Sequence, residues 1–153
     1  MVITRLIGGL GNQMFQYAAG AAVAARTGQP LRLDLTSLRK YKRHQGYQLD
    51  QIFTGEFRVA STLDLFRVLG FGMRSGVRGS VTPDPNLPDP QMGPKIRQPV
   101  HNYWQGFADL SGKTYLAGYW QSAKYFESFE GLILQAFHFR EELSGTNLRI
   151  AGE

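Results

Sequence analysis

The sequence predicts an α/β fold in which a parallel sheet carries helices on its faces. Three observations support this prediction. A β-branched run at residues 2–7 ends in a glycine pair, a helix-period pattern follows, and a second apolar run occupies residues 31–35. This order forms a βαβ unit, whose two strands pair in parallel through a right-handed crossover. With 153 residues, 42% of them hydrophobic, the chain is long enough for one domain with a substantial core.

The first helix is predicted from its apolar spacing. Apolar residues recur at three- and four-residue steps, which places them on one helix face: Met14, Phe15, Ala18, Ala19, Ala22 and Val23. Asn12 is a residue type that caps helices, so we expect it at the N-terminus of this one. Gly28 ends the predicted helix and Pro30 prevents its continuation. The strand at residues 31–35 then carries Asp34 near its carboxyl end.

The middle of the chain carries weaker signals. Ser61 and Thr62 are predicted to cap a short helix that continues through Leu69. Six of the seven prolines lie between Pro83 and Pro99, so residues 83–99 are predicted to form a proline-rich surface loop or linker. Proline cannot donate a backbone hydrogen bond, which excludes a central strand in this segment.

The last third of the chain predicts two more strands and one more helix. Residues 100–107 and 114–120 have strand composition, and Ser111-Gly112 forms a turn between them. Ser122 is the predicted cap of a helix that runs to Gln135. The polar tail at residues 144–153 shows no closing element.

Composition and charge exclude several classes of protein. The absence of cysteine excludes a disulfide framework and a cysteine-ligated metal site. No signal-peptide pattern and no apolar run of roughly 20 residues occur, so we expect a cytoplasmic chain without a membrane span. The net charge of +5 is compatible with peripheral contact with an anionic membrane. The densest basic cluster matches no nucleic-acid module, so no nucleic-acid partner is expected: Arg39, Lys40, Lys42, Arg43 and His44.

Candidate metal ligands and general bases are few. The three histidines are scattered and lack metal-ligand spacing: His44, His101 and His138. General-base chemistry needs a carboxylate or a histidine beside the reacting hydroxyl. Asp34, Asp50 and Glu56 are available, and only Asp34 is favoured by its position at a strand end. The catalytic residue therefore remains unassigned.

Residues 8–12 predict a glycine-rich loop between the first strand and its helix. Glycines let the backbone approach a ligand closely, and a helix start adds partial positive charge, so the loop suits a diphosphate. In parallel α/β sheets, ligands bind beyond the carboxyl ends of the strands, where this loop is expected. A tight turn that binds no ligand accounts for the glycine pair equally well.

Two nucleotide-binding motifs are alternatives. In the dinucleotide motif G-x-G-x-x-G, Gly9 and Gly11 fit, but Met14 replaces the third glycine and would obstruct close helix–strand packing. Asp34 lies 23 residues after Gly11, near the usual place of a ribose-binding acid, so a nucleotide-binding Rossmann module of the NAD or FAD type stays an alternative. A P-loop is excluded, because Gly112-Lys113-Thr114 precedes a strand and opens no helix.

Two longer stretches resemble one enzyme family. Residues 8–18 read GGLGNQMFQYA, and residues 116–126 read LAGYWQSAKYF. They are similar to the opening motif and to the G-Y-W-Q-S-x-x-Y-F segment of the α-1,2-fucosyltransferases, glycosyltransferase family 11. Leu33-Asp34 and Tyr47-Gln48-Leu49 are also similar to the family. The resemblance covers roughly residues 1–140.

The resemblance implies a Rossmann-like N-terminal half of a GT-B-type glycosyltransferase, with the active site between two halves. Such enzymes transfer fucose from GDP-fucose to the 2-hydroxyl of a galactose in a glycan, with inversion and without a metal or other cofactor. In this family the glycine loop faces the nucleotide sugar. The resemblance therefore implies substrate-binding roles for four residues: Gly9, Leu10, Gly11 and Asn12.

One family motif is absent from this sequence. The resemblance leads us to expect an H-x-R-R-x-D-Y motif, whose arginine neutralises the leaving diphosphate. The nearest match, His138-Phe139-Arg140, lacks the paired arginines and the aspartate. We therefore expect residues 1–153 to form a single N-terminal domain that lacks the second GT-B half and is inactive alone.

Aromatic residues cluster near the end of the last predicted strand, at Tyr119, Trp120, Tyr125 and Phe126. Aromatic faces stack on sugar rings, so an acceptor platform is one interpretation. Core packing is the favoured interpretation, and it extends to Trp104.

Overall fold

The computed structural model describes residues 1–40, 45–70, 95–97, 103–110 and 112–140. The strands are Val2–Arg5 (β1), Leu31–Asp34 (β2), Lys95–Arg97 (β3) and Thr114–Ala117 (β4). The α-helices are Leu10–Thr27 (α1), Thr36–Lys40 (α2), Leu49–Ile52 (α3), Thr62–Leu69 (α4) and Glu130–Ala136 (α5). Short 3-10 helices occupy Gln105–Asp109, Ala123–Tyr125 and Glu127–Phe129. No helix in these ranges is both long and apolar enough to cross a membrane.

The four strands form one parallel sheet in the order β2-β1-β4-β3. β1 is internal, and its Val2 lies beside Leu31 of β2 on one side and Thr114 of β4 on the other. α1 connects β1 to the neighbouring parallel strand β2. The predicted α/β class and the predicted βαβ unit are therefore confirmed.

Helices cover both faces of the sheet because the side chains of each strand alternate between them. Val2 and Leu6 pack under α1, together with Leu33 of β2. Ile3 points to the other face and packs against Leu65 of α4. All five side chains are buried. The apolar run of β1 therefore belongs to a strand that is buried on both faces.

α1 lies very close to the sheet at Gly20. A Cβ atom at this position would stand 2.0 Å from Thr4 Oγ1 and 2.9 Å from Leu31 Cδ1. The helix ends as predicted at Gly28, whose φ of 63° is left-handed and whose N–H reaches the carbonyl oxygens of Ala24 and Ala25. Local signals therefore set the end of α1, and a glycine inside it allows the close packing.

The predicted N-cap of α1 is wrong. The helix begins at Leu10 with Gly9 as its N-cap, so Asn12 lies inside the first turn. The glycine pair already supplies the extended backbone of an N-cap, with φ −78° and ψ 179° at Gly9. The side chain of Asn12 is therefore not needed as the helix cap and can form other contacts.

The predicted strand at residues 100–107 is also wrong in its described part. Gln105–Asp109 forms a 3-10 helix, which is closed by Phe107 N–H to Trp104 O. The fourth strand is instead β3, at Lys95–Arg97, inside the segment predicted to be a proline-rich loop. β3 lies at the edge of the sheet, in agreement with the exclusion of a central strand. The rest of residues 83–99 lies outside the described residues.

The segment after β4 is less regular than predicted. Instead of one helix from Ser122 to Gln135, two 3-10 helices precede α5. Ser122 forms no side-chain cap on the first of them. The polar tail at residues 144–153 lies outside the described residues.

α4 begins as predicted, at Ser61. The Ser61 hydroxyl accepts a hydrogen bond from Asp64 N–H at 3.1 Å, and the Asp64 carboxylate accepts one from Ser61 N–H at 3.0 Å. This reciprocal pair is a capping box. The hydrogen bonds from the Ser61 backbone and side chain lower the pKa of Asp64.

Replacing Ser61 with alanine is expected to raise the pKa of Asp64 towards its ordinary value and to destabilise α4. A depressed carboxyl pKa contributes stability above the unfolded-state pKa, and this contribution is lost as the pH falls through the folded-state pKa. The test is an NMR titration of the Asp64 carboxyl carbon in both proteins. An unchanged midpoint in Ser61→Ala would contradict the assignment.

Candidate functional site

The carboxyl ends of β1, β2 and β4 meet at one edge of the sheet, and the glycine loop lies there. The loop leaves β1 and turns at Gly8, whose φ is +81°. A Cβ atom on Gly8 would stand 2.4 Å from Nδ2 of Asn12. Glycine is therefore required at position 8 for two reasons. Its backbone is left-handed, and the Asn12 amide leaves no room for a Cβ atom.

The start of α1 is open at this edge. The N-cap residue is a glycine, so no side chain forms a capping hydrogen bond with the first turn, and this turn contains no acidic residue. The first intrahelical bond runs from Gln13 N–H to Gly9 O at 3.1 Å. The N–H groups ahead of it have no intrahelical partner, so they are available to an anion at the positive end of an 18-residue helix.

Two fully buried glutamines of α1, Gln13 and Gln16, form hydrogen bonds with the backbone of the glycine loop and of the residue before it. Gln13 Nε2 donates to Gly8 O at 3.1 Å and to Gly46 O at 2.8 Å, while its Oε1 accepts from Gln48 N–H at 3.1 Å. Gln16 Oε1 accepts from Ile7 N–H at 2.9 Å. The glycine loop and the segment before α3 are therefore attached to the same helix face.

Asn12 links the glycine loop to the segment after β4. Its Oδ1 accepts a hydrogen bond from Gln121 Nε2 at 2.7 Å. Its Nδ2 group is the part of the amide that can donate to a phosphate or sugar oxygen. The two stretches that carry the family resemblance, far apart in sequence, thus touch at this edge of the sheet.

Asp34 is engaged within the protein. It is 4% exposed, its Oδ1 accepts from Thr36 N–H at 2.9 Å, and its Oδ2 accepts from the Tyr115 hydroxyl. Burial raises the pKa of Tyr115, and the neighbouring Asp34 charge raises it further. The geometry therefore does not support Asp34 as a ribose-binding acid or as a general base, the two roles for which its position made it a candidate.

The other two candidate bases, Asp50 and Glu56, are exposed. His138 is exposed as well. Glu56 forms an ion pair with Arg58 at 2.8 Å. Within the described ranges, no three histidine, cysteine or acidic residues are grouped to hold a metal ion. His44 and His101 lie outside those ranges, as do Lys42 and Arg43 of the basic cluster.

The aromatic cluster is mainly core, as favoured from the sequence. Trp120 is fully buried, with ring centroids 5.5 Å from Phe107 and 5.3 Å from Tyr125. Tyr125 also accepts a hydrogen bond from Trp104 N–H through its hydroxyl. Tyr119 differs, because 40% of it is exposed next to the carboxyl end of β4. Of this cluster, Tyr119 is the ring best placed to meet a ligand.

A separate shallow groove of about 450 Å³ lies at the opposite end of α1. Its lining includes Ala24, Gly28, Pro30 and Arg32 and no residue of the glycine loop. The candidate site is therefore defined by the open helix start and its loop contacts, and the groove is not part of it.

Comparison with known proteins shows similarity to one glycosyltransferase. No family model matches the chain, and no solved structure matches it. The chain is similar to an α-1,2-colitosyltransferase of Escherichia coli. The two proteins are 30% identical over 133 residues, which is 82% of this chain and 41% of that protein. The chain thus spans well under half the length of this glycosyltransferase.

This similarity relates the chain to a glycosyltransferase, the class of enzyme that the sequence motifs indicate. The structure brings the four predicted site residues, from Gly9 to Asn12, to the expected edge of the sheet. It also adds Gln13, Gln16 and Gln121, which sequence reasoning assigned no role. A usable signal for the first two was present: polar residues three positions apart inside an otherwise small and apolar helix.

Proposed function

We propose that the chain is the N-terminal part of an α-1,2-fucosyltransferase-like glycosyltransferase and that it binds the diphosphate of GDP-fucose at the start of α1. The observation that carries this proposal is the uncapped start of an 18-residue helix behind a glycine loop at the carboxyl edge of the sheet. The similarity to a glycosyltransferase supports the same class of enzyme.

The proposed diphosphate contacts are backbone N–H groups of Gly9, Leu10 and Gly11, together with the Asn12 amide. Oriented N–H groups and the helix dipole attract an anion without a metal ion. The absence of acidic residues from the first turn keeps this potential positive. Donor binding by these groups therefore requires no metal or other cofactor.

Fucose as the donor sugar and the 2-hydroxyl of a galactose as the acceptor are the finer parts of the proposal, with inversion at the transferred carbon. They rest on the two motif stretches, which meet through the Asn12–Gln121 hydrogen bond. The related E. coli protein is named for colitose. A sugar nucleotide that carries colitose is therefore the appropriate competitor to GDP-fucose in any test of donor choice.

Calorimetric titration of the 153-residue chain with GDP, GDP-fucose and NAD tests the proposal. We expect saturable binding of GDP and GDP-fucose and none of NAD, because Asp34 is already bonded to Tyr115 and Thr36. Binding of NAD in preference to GDP would support a dinucleotide-binding module instead. Absence of binding to all three would overturn the nucleotide site.

Replacing Gly8 with alanine is expected to weaken GDP binding about tenfold, which corresponds to about 1.4 kcal/mol. The new Cβ would meet the Asn12 amide at 2.4 Å, and the left-handed φ of +81° disfavours any residue with a Cβ. The measurement is the GDP dissociation constant of the variant. Gly131→Ala is the control, since a Cβ on exposed Gly131 meets no atom within 4 Å. Equal affinity in Gly8→Ala and wild type would contradict the site.

A further inference from the structure

Gln13 is the residue that joins the glycine loop to a second loop. It is fully buried in the first turns of α1, and its side-chain amide forms three hydrogen bonds with backbone groups. Two carbonyl oxygens, of Gly8 and Gly46, require its Nε2 as a donor, and Gln48 N–H requires its Oε1 as an acceptor. The orientation of the amide is therefore unambiguous.

A buried amide is costly unless its hydrogen bonds are satisfied. Gln13 satisfies both N–H groups and one oxygen lone pair by contacts that lie outside α1. The side chain consequently acts on the two loops and not on the helix that carries it. Gly46 itself has a φ of +79°, so the second loop turns sharply where Gln13 holds it.

The bond to Gly8 has a directional consequence. The carbonyl of Gly8 and the N–H of Gly9 belong to one planar trans peptide, so they point in opposite directions. Because the Gly8 carbonyl points at Gln13 Nε2, 3.1 Å away, the N–H of Gly9 is directed away from the Gln13 amide. This is the N–H group at the N-cap, ahead of the first intrahelical bond.

We propose that Gln13 is a positioning residue for the nucleotide donor: it aims the Gly9 N–H at the diphosphate and fixes the loop at Gly46 and Gln48 as an adjoining wall of the same site. The inference rests on the proposed function, because it assigns Gln13 a task at that site. Gln13 touches no substrate itself and acts through the Gly8–Gly9 peptide.

The test is calorimetric GDP titration of the full 153-residue chain carrying Gln13→Met or Gln13→Glu. Methionine keeps the volume and removes all three hydrogen bonds. Glutamate keeps the oxygen that accepts from Gln48 N–H. It replaces the amide donor with a second oxygen, which faces the carbonyl oxygens of Gly8 and Gly46 and repels them. We expect GDP affinity to fall about tenfold or more in both variants, since each lost bond contributes to loop order. Circular dichroism verifies that both variants fold.

Two readouts separate positioning from general destabilisation. Val23→Ala truncates a fully buried residue farther along α1 and should lower thermal stability without changing GDP affinity. Burial beside two carbonyl oxygens raises the pKa of the glutamate in Gln13→Glu. As the pH falls through that pKa the carboxyl gains one donor, so the GDP affinity of this variant should recover relative to wild type at the same pH. A general loss of stability would produce no such recovery.

The outcomes distinguish this inference from the function it rests on. If the wild-type chain does not bind GDP, the proposed function fails and the role of Gln13 fails with it. If wild type binds GDP and both Gln13 variants bind it equally well, only the positioning role is overturned. The same holds if Val23→Ala weakens binding as much as Gln13→Met does.

Discussion

Replacing Trp120 with alanine is expected to lower the free energy of unfolding by about 3–5 kcal/mol. Trp120 is fully buried against Phe107 and Tyr125, so truncation removes the largest fully buried side chain and leaves a cavity. Its φ of 55° is unfavourable for any residue with a Cβ, and alanine retains that strain while losing the packing that offsets it. The free energy of unfolding of a small domain is only about 5–15 kcal/mol, so the variant loses a large share of its stability.

Urea denaturation followed by far-ultraviolet circular dichroism measures this loss. Tyr119→Ala is the matched control, because it truncates the neighbouring aromatic residue, of which 40% is exposed. We expect the control to change stability by less than about 1 kcal/mol. A Trp120→Ala variant as stable as this control would show that the aromatic cluster is not part of the core.

Replacing Gly20 with valine is expected to cost about 3 kcal/mol, the upper end of typical overpacking penalties. The Cβ alone would stand 2.0 Å from Thr4 Oγ1 and 2.9 Å from Leu31 Cδ1, so these buried side chains would have to shift or α1 would have to move away from β1 and β2. Such a movement also disturbs the start of α1, where the candidate site lies. Thermal denaturation and GDP titration of the same variant measure the two effects.

A double-variant comparison makes this test specific. Gly20→Ala should be clearly destabilising in the wild-type chain and much less so in a Thr4→Ala background, because the clashing Oγ1 is then absent. Gly131→Ala, in the exposed part of α5, is the matched glycine control and should be neutral or stabilising by up to about 1 kcal/mol. Equal costs for Gly20→Ala in both backgrounds would contradict close packing at Thr4.

Elements with complete local signals were predicted correctly from the sequence. The βαβ unit follows from two apolar runs and a helical period, the end of α1 from Gly28, and the start of α4 from Ser61. In each case the residues that decide the structure lie within a few positions of the feature itself. The position of the glycine loop at the carboxyl edge then follows from the topology of parallel sheets.

Elements that depend on distant partners were not predicted. The three-residue strand β3 exists because it pairs with β4, and its own composition carries no strand signal. The strand predicted at residues 100–107 rests on the aromatic residues Tyr103, Trp104 and Phe107. Phe107 packs instead against Trp120 and Tyr125, and Gln105–Asp109 forms a 3-10 helix. Here packing against residues far along the chain outweighs local propensity.

The candidate site divides in the same way. The sequence alone determined the strand–glycine loop–helix order and the residue types of the loop from Gly9 to Asn12, because a short motif encodes a local backbone shape. Three contacts were visible only in the tertiary structure. The Tyr115 hydroxyl donates a hydrogen bond to Asp34, and Gln121 donates one to Asn12. Gln13 joins the loops at Gly8 and Gly46. A side-chain hydrogen bond between segments far apart in sequence leaves no periodic pattern, so the fold has to bring its partners together before its role is visible.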